Sequence, residues 1–229
     1  MACVGNDEDL RQITIKKHGA FEAMQKNSIF VDHTTTSATV ARELSAIASR
    51  HDLHFLDAPV SGGQAGAVNG ALTIMVGGDA KPFATASPVL KVYARMLKLL
   101  GSSGAGQLTK MVNQICLAGL IQALAEGISF AKAAGLNPYE VIEVISKGAA
   151  QSWQMDNRAK TMIEGQYEFG FAVDWMRKDL AYIKEEAHKN GATIPVAELV
   201  DEFYSEIQRM GGGRWDTSSL MTRLKPKSV

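Results

Sequence analysis

A lysine close to the start of a long apolar segment has the type and spacing that best suit catalysis. Lys110 follows Gly104 and Gly106, and Asn113 and Gln114 come after it at helical spacing. If a helix begins near Gly106, the three polar side chains share one face. The positive end of the helix dipole and partial burial would both lower the pKa of Lys110. It could then act as a general acid, with Asn113 orienting the lysine or the substrate oxygen; the alternative is a solvated surface lysine.

The segment Asp57–Gly63, which reads DAPVSGG, is a second candidate site. A strand ending at Asp57 leads into a turn that Pro59 fixes, and Ser61 is followed by two glycines that leave the backbone N–H groups unobstructed. Such a nest could bind an anion such as a carboxylate, helped by the Ser61 hydroxyl. The alternative is an ordinary tight turn.

Two further groups of polar residues are weaker candidates. Lys178 and Asp179 lie beside aromatic residues on a predicted helix, where they could reach a bound cofactor or form a surface ion pair. A hydroxyl cluster, Thr34–Thr36, follows a predicted strand that ends at Asp32, and ligands of open α/β sheets bind at the carboxyl ends of strands. His33 is as readily a turn residue as a ligand.

The elements that would position these residues divide the chain into two parts. Residues 1–101 alternate strands and helices, which favours an α/β fold with a largely parallel sheet. Residues 102–229 carry helical patterns only. The predicted strands are Ser28–Asp32, His54–Asp57, Ala71–Val76 and Met96–Leu100. The predicted helices are Ser37–Arg50 (capped by Thr36 or Ser37), Lys81–Leu90, Gly106–Ala134, Pro138–Ser146, Asp174–Lys189, Pro195–Met210 and Thr217–Leu224.

The helix predicted over Gly106–Ala134 is expected to be central. Its run Ile115–Ile121 is apolar all round, so it should be buried on all sides, within its own domain or against a partner. A homodimer or homotetramer that shares helices is the preferred explanation. The uncharged run Ile115–Ala125 is too short to span a bilayer. Lys110, Asn113 and Gln114 share one face of this helix. The residues expected on its buried side are Leu108, Met111, Val112 and Ile115.

Composition excludes several classes of function. The 24 basic and 24 acidic residues balance, so the chain lacks the basic footprint of a nucleic-acid binder and any charged membrane-surface tract. The N-terminus has no signal-peptide core, and two cysteines, of which Cys116 is expected to pack as a small hydrophobe, suit a reducing cytoplasm. The five histidines have no cysteine or carboxylate at zinc-like spacing, so no metal site is predicted.

A complete dinucleotide loop is missing from these 229 residues. Such a loop requires Gly-x-Gly-x-x-Gly between a strand and a helix. Gly104 and Gly106 give the nearest match, but Thr109 stands at the third glycine position.

Together, these motifs resemble the β-hydroxyacid dehydrogenase family, which includes 3-hydroxyisobutyrate dehydrogenase and tartronate semialdehyde reductase. The resemblance extends from the first residues to about residue 224. The family's substrate motif matches Asp57–Gly63, and its Lys-Asp-Leu element matches Lys178–Leu180. Its catalytic motif, Gly-x-Gly-x-x-x-Lys-x-x-Asn, matches Gly104, Gly106, Lys110 and Asn113.

The resemblance implies a role for each matching residue. Lys110 would transfer the proton at the hydroxyl carbon, and Asn113 would orient the substrate. Gln114 stands where some members carry a second asparagine that contacts the substrate. The residues that would bind the substrate carboxylate are Ser61, Gly62 and Gly63.

The resemblance also implies NAD or NADP as cofactor and a small carboxylate-bearing substrate. Thr35 would contact the nicotinamide side, Lys178 would approach the cofactor, and Val4 and Gly5 correspond to a cofactor-contacting turn that often reads Leu-Pro in the family.

The chain differs from the family pattern at its N-terminal end. Ala2–Val4 resembles the family's fourth strand, so about 70 residues of an incomplete Rossmann-like domain, with its glycine loop, are expected to lie outside this sequence. We expect the 229 residues alone to bind the cofactor poorly. The alternative to an enzyme is a non-catalytic dimerisation module or an inactive fragment; the presence of Lys110 favours the enzyme.

Overall fold

The computed structural model of the chain describes Met1–Leu224 and contains two compact units. The first comprises Met1–Asn113 and the second begins at Gln114. The prediction of a domain boundary between residues 101 and 102 stays a prediction.

The first unit is α/β and the second is helical, which confirms the predicted fold class. The elements of the first unit are α1 (Asp7–Thr14), α2 (Ala20–Ala23), β1 (Ile29–Asp32), α3 (Ala38–Arg50), β2 (His54–Asp57), β3 (Val60–Ser61), α4 (Gly63–Val68), β4 (Leu72–Gly77), α5 (Ala80–Leu90) and β5 (Ala94–Gly101). A long helix, α6 (Ala105–Ala133), begins there and continues into the second unit. The others are α7 (Pro138–Ile145), α8 (Trp153–Glu164), α9 (Val173–Asn190), α10 (Pro195–Arg209) and a 3₁₀ helix (Thr217–Arg223).

Helix α3 forms for the reasons that its sequence suggested. The Ser37 hydroxyl accepts a hydrogen bond from the Val40 backbone N–H at 3.0 Å, so Ser37 is the N-cap. Val40 and Leu44 are fully buried, and Ile47 is partly buried against the same cluster. This face packs with Phe30 of β1, which places the carboxyl end of β1 beside the start of α3.

The sheet is mixed: its two longest pairings are parallel, as predicted, but the direction of β4 relative to β2 and β3 differs from the prediction. Strands β1 and β2 pair in parallel, as do β4 and β5, but β4 runs antiparallel to β2 and β3. Strands β2 and β3 lie one after the other along the same edge of β4, in one register. A parallel crossover requires a dozen or more residues with a covering helix. Here the connection between β2 and β4 contains β3, which pairs with β4. Strand β4 therefore runs antiparallel to β2 and β3, as the second strand of a hairpin does.

Several elements differ from the sequence-based expectation. Ala2 makes only one isolated parallel bridge, to Asp32, where a strand was expected over Ala2–Val4. The last predicted helix is 3₁₀ and ends at Arg223. Helices α1 and α8 were not predicted; Asn6 and Ser152 cap them through their side chains.

The face pattern of α6 corrects two expectations. Val112 is 60% exposed and Cys116 is exposed, although both were expected to be buried. Ala118 and Ile121 are fully buried, so the apolar run is covered on one side within the chain.

By length and composition alone, α6 could cross a membrane, since it has 29 residues and contains an 18-residue stretch with a mean hydropathy of 1.4. Core helices of soluble proteins meet the same criterion. Because Ala118, Ile121 and Ala125 have no exposed surface, we interpret α6 as a core helix.

The start of α6 is fixed by a buried carboxylate. Asp57, at the end of β2, accepts hydrogen bonds from the backbone N–H groups of Gly104 (2.8 Å) and Gln107 (3.0 Å). These N–H groups lie at the start of the helix, where backbone N–H groups have no acceptor within the helix itself. A negative charge there also interacts favourably with the helix dipole. Asp57 therefore joins the end of a strand to the start of the helix.

Gly106 permits this close approach, because a Cβ atom there would lie against the Met75 carbonyl oxygen and 2.6 Å from the Asp57 carbonyl oxygen. We expect Gly106→Ala to lower the free energy of unfolding by about 1–3 kcal/mol, the usual range for overpacking. Gly127→Ala, also in α6, is the matched control: a Cβ there meets no atom within 4 Å. It should stabilise by about 0.5–1 kcal/mol through helix propensity. Thermal unfolding checks both, and equal shifts would contradict the packing argument.

A second prediction concerns the pH dependence of stability. Burial raises the pKa of Asp57 above its ordinary value of 3.8, although backbone N–H groups, first that of Gly104, oppose the shift. The folded state therefore holds this proton more tightly than the unfolded state. The resulting stability is fully present below pH 3.8 and is lost as the pH rises through the folded-state pKa.

We expect the difference in unfolding free energy between wild type and Asp57→Asn to decrease over that pH range, because asparagine cannot titrate. The other carboxyl groups contribute equally to the pH dependence of both proteins, so their contributions cancel in this difference. At neutral pH the variant should still be less stable by about 1–3 kcal/mol, since its amide NH₂ cannot accept from a backbone N–H. Urea unfolding at several pH values measures this, and a difference that does not change with pH would contradict it.

Candidate active site

The lysine singled out from the sequence is buried. Only 7% of the surface of Lys110 is exposed, so it is not the solvated surface lysine of the alternative interpretation. It lies on α6 one turn after Gln107, close to the helix start that Asp57 fixes. Asn113, one turn further on, is partly buried. A buried ammonium group of this kind suits proton transfer better than a surface charge does.

Gln107 is a site-forming residue that the sequence did not reveal. Its side chain is completely buried and makes two hydrogen bonds to the backbone of the loop after β1. The Gln107 Nε2 donates to the Thr34 carbonyl oxygen at 2.8 Å, and its Oε1 accepts from the Thr36 N–H at 3.0 Å. Thr35, the predicted nicotinamide contact, therefore lies between two anchored residues. Gln107 stands inside the motif GAGQLTK, but its hydrogen-bond partners are about 70 residues away in the sequence, so no local pattern indicates them.

The predicted carboxylate-binding segment is partly a strand and partly a helix start. Ser61 pairs with Thr73 as the last residue of β3, and Gly62 precedes α4. Gly62 has φ of 128° and Gly63 of 60°, conformations that residues with a side chain rarely adopt. Ser61 and Gly62 are partly exposed and Gly63 is exposed. The segment is therefore an accessible bend rather than a simple two-residue turn.

His33 connects the loop after β1 to the start of this segment. Its Nδ1 lies 2.7 Å from the Ala58 carbonyl oxygen, and its Nε2 lies 2.9 Å from the Tyr93 hydroxyl. Burial lowers the pKa of His33, and the hydrogen bond with Ala58 opposes that shift. A neutral ring with its proton on Nδ1 fits both partners. His33 therefore acts as a structural turn residue here.

The other predicted cofactor residues of the first unit lie at the N-terminal turn. The Val4 N–H donates to the Thr34 hydroxyl at 2.9 Å, and the Gly5 N–H donates to Asp9 at 3.2 Å. Thr34 therefore accepts two hydrogen bonds: its hydroxyl oxygen accepts from the Val4 N–H, and its carbonyl oxygen accepts from the Gln107 side chain. The turn that carries Val4 and the loop that carries Thr35 are consequently adjacent.

In the second unit, two predicted site residues are joined through a third. The Gln114 Nε2 donates to Asp179 Oδ2 at 2.7 Å, and the Lys178 Nζ lies 3.3 Å from Asp179 Oδ1. Asp179 is only 2% exposed, so this is not the surface ion pair that was the alternative. The Lys178 ammonium also lies over the Trp175 and Tyr182 rings, at 5.9 and 5.5 Å from their centroids.

The donor set suits a nicotinamide cofactor and a carboxylate substrate. The first unit offers hydroxyl and backbone N–H groups at the carboxyl ends of β1 and β2, where α/β sheets bind nucleotides. It also contains a buried lysine, Lys110. Within residues 1–224, no group of three or more histidine, cysteine or carboxylate side chains could hold a metal ion.

Two family models match the chain over nearly its whole length. Residues 1–101 match the NAD binding domain of 6-phosphogluconate dehydrogenase, and residues 104–224 match the NAD-binding domain of NADP-dependent 3-hydroxyisobutyrate dehydrogenase. The cofactor is therefore NAD or NADP.

Known proteins agree with these models. An uncharacterised oxidoreductase of Shewanella frigidimarina is 64% identical over 97% of this chain and 77% of its own length. The 2-hydroxy-3-oxopropionate reductase of Escherichia coli is 29% identical over 97% of this chain and 76% of its own. The crystal structure of 3-hydroxyisobutyrate dehydrogenase from Salmonella typhimurium superposes with a TM-score of 0.87 at 30% identity, covering 96% of this chain and 77% of that one. With its Rossmann-like sheet and its long lysine-bearing helix, the chain belongs to the β-hydroxyacid dehydrogenase family of NAD(P)-dependent oxidoreductases.

Proposed function

We propose that the protein interconverts a small β-hydroxyacid and its semialdehyde with NAD or NADP, and that Lys110 is the general acid and base. The supporting observation is the burial of Lys110 on a helix whose first turn is bound by Asp57. The names of relatives support the substrate class: they act on 3-hydroxyisobutyrate and on 2-hydroxy-3-oxopropionate.

The bound cofactor would supply or accept the hydride at the carbon that bears the oxygen. In the reduction, Lys110 donates a proton to the developing alkoxide, and in the oxidation it accepts the hydroxyl proton. Asn113, one turn away, orients the substrate oxygen. Because Lys110 is nearly excluded from water, its proton passes to the substrate rather than to bulk solvent.

The remaining site residues bind and orient the two ligands. Backbone N–H groups of Gly62 and Gly63, with the Ser61 hydroxyl, hold the substrate carboxylate. Gln114, fixed by Asp179, adds a substrate contact. In the first unit, Val4, Gly5 and Thr35 hold the cofactor. For Lys178, in the second unit, the proposed role is the cofactor contact that the family resemblance implies. We place the enzyme in the cytoplasm on its composition.

We also propose a homo-oligomer, most simply a homodimer, that covers the outer side of α6. Val112 and Phe130 are 60% and 73% exposed in the single chain, and Cys116 lies between them. A row of apolar side chains on one helix is typical of a subunit interface.

Sedimentation velocity tests the oligomer. Phe130→Glu should dissociate it, because an unpaired carboxylate is costly in an apolar interface. Val92→Glu is the control, as Val92 is an apolar residue of the first unit that is 78% exposed and is not part of α6. A dimer that persists in Phe130→Glu at micromolar concentration would contradict this interface.

Replacement of Lys110 tests the reaction. In the gene product at its natural length, Lys110→Met should lower kcat by about 10²–10⁴-fold, the usual contribution of a general acid–base. The affinity for NADH or NADPH, measured by fluorescence titration, should stay near wild type. Activity is followed through NAD(P)H absorbance during 3-hydroxyisobutyrate oxidation and 2-hydroxy-3-oxopropionate reduction.

Lys81→Met is the matched control, because Lys81 is an exposed lysine in the first turn of α5. It should leave kcat and cofactor affinity unchanged. Near wild-type turnover in Lys110→Met would remove this lysine from the mechanism.

A further inference from the structure

We propose that Gln107 is a positioning residue that holds the Thr34–Thr36 loop in register with Lys110. This inference rests on the proposed function, in which Thr35 contacts the nicotinamide side and Lys110 transfers the proton. It assigns the alignment of these two groups to one buried amide.

The contacts of Gln107 reach both sides of Thr35. The carbonyl group before Thr35 and the N–H group after it are both bound by the same side chain, at 2.8 and 3.0 Å. One hydrogen bond would allow the loop to pivot, whereas two bonds to a planar amide fix its distance and its orientation. Both polar atoms of the amide are satisfied, as full burial demands.

The amide is itself held in place by the first turn of α6. The Gln107 backbone N–H donates to Asp57, so its Cα position is tied to the end of β2. Lys110 is three residues further along, which places it on the same side of the helix. A continuous set of hydrogen bonds therefore runs from the loop to the helix that carries the lysine.

This connection matters for hydride transfer because the reaction needs two alignments at once. The nicotinamide must face the substrate carbon while the lysine faces the substrate oxygen. A displacement of about 1 Å in either group can lower the rate by roughly 100-fold. Gln107 is a side chain of α6, the helix that carries Lys110, and it contacts the backbone on both sides of Thr35.

Gln107→Met tests the inference, since methionine keeps the length and removes both hydrogen bonds. We expect kcat per folded enzyme to fall by about 10- to 100-fold. The deuterium isotope effect, measured with a hydroxyacid labelled at the hydride-donating carbon, should increase as hydride transfer becomes slower. The Thr36 amide should exchange with deuterium faster, as measured by NMR.

Gln122→Met is the control. Gln122 is also buried on α6, but its amide donates to Glu126 of the same helix. It should match any general loss of stability in Gln107→Met while leaving the isotope effect and Thr36 exchange at wild-type values.

Gln107→Glu separates positioning from packing. A protonated glutamic acid offers one acceptor and one donor, as glutamine does, whereas the carboxylate offers acceptors only. The carboxylate would lie against the Thr34 carbonyl oxygen and near Asp57, so protonation is favoured. The ratio of Gln107→Glu activity to wild-type activity should therefore rise as the pH falls, and Gln107→Met should show no such recovery.

Three outcomes would overturn the inference: Thr36 exchange unchanged in Gln107→Met, a kcat and isotope effect equal to those of Gln122→Met, or no recovery of Gln107→Glu at low pH. If the wild type oxidises no hydroxyacid, the proposed function fails. Thr36 exchange and NADH titration of Gln107→Met then decide the role of Gln107. Faster exchange with weaker NADH binding supports it, and unchanged values overturn it.

Discussion

The arrangement of the first unit depends on a carboxylate that is bound by the first turn of a helix. Asp57 has no exposed surface, yet it is placed where backbone N–H groups would otherwise lack partners. Its burial is unfavourable for the charge and raises its pKa, and the hydrogen bonds together with the helix dipole offset part of that cost. Because Asp57 ends β2 and also precedes the predicted carboxylate-binding segment, one side chain relates that segment to the helix that carries Lys110.

The remaining contacts extend this relation to the loop after β1, which is predicted to contact the cofactor. Gln107 binds the loop after β1, Val4 binds Thr34 in that loop, and His33 binds the carbonyl group of Ala58. These are mainly contacts with backbone atoms, so they fix positions without selecting side-chain types in the loops. In the second unit, Asp179 plays a comparable part for Gln114 and Lys178. The predicted site residues and loops are therefore held by neighbours for which no chemical role is predicted.

The sequence predicted the elements well where the local pattern determines the structure. Strand β2 and helix α3 lie where expected, because capping by Ser37 and the apolar spacing of α3 are local signals. The direction of β4 could not be predicted, since it depends on the pairing of β3 with residues further along the chain. The role of Gln107 was invisible for the same reason: its partners are about 70 residues away, and only the fold brings them together.

The tight seat of Gly106 against β2 has a consequence for how this segment can vary in length. Each helical residue turns the chain by about 100° and advances it by about 1.5 Å. With the helix start immobilised, one inserted or deleted residue between Gly106 and Lys110 would swing the ammonium group to another side of the helix. Helix geometry therefore constrains the number of residues between Gly106 and Lys110, whichever side chains stand at Leu108 and Thr109.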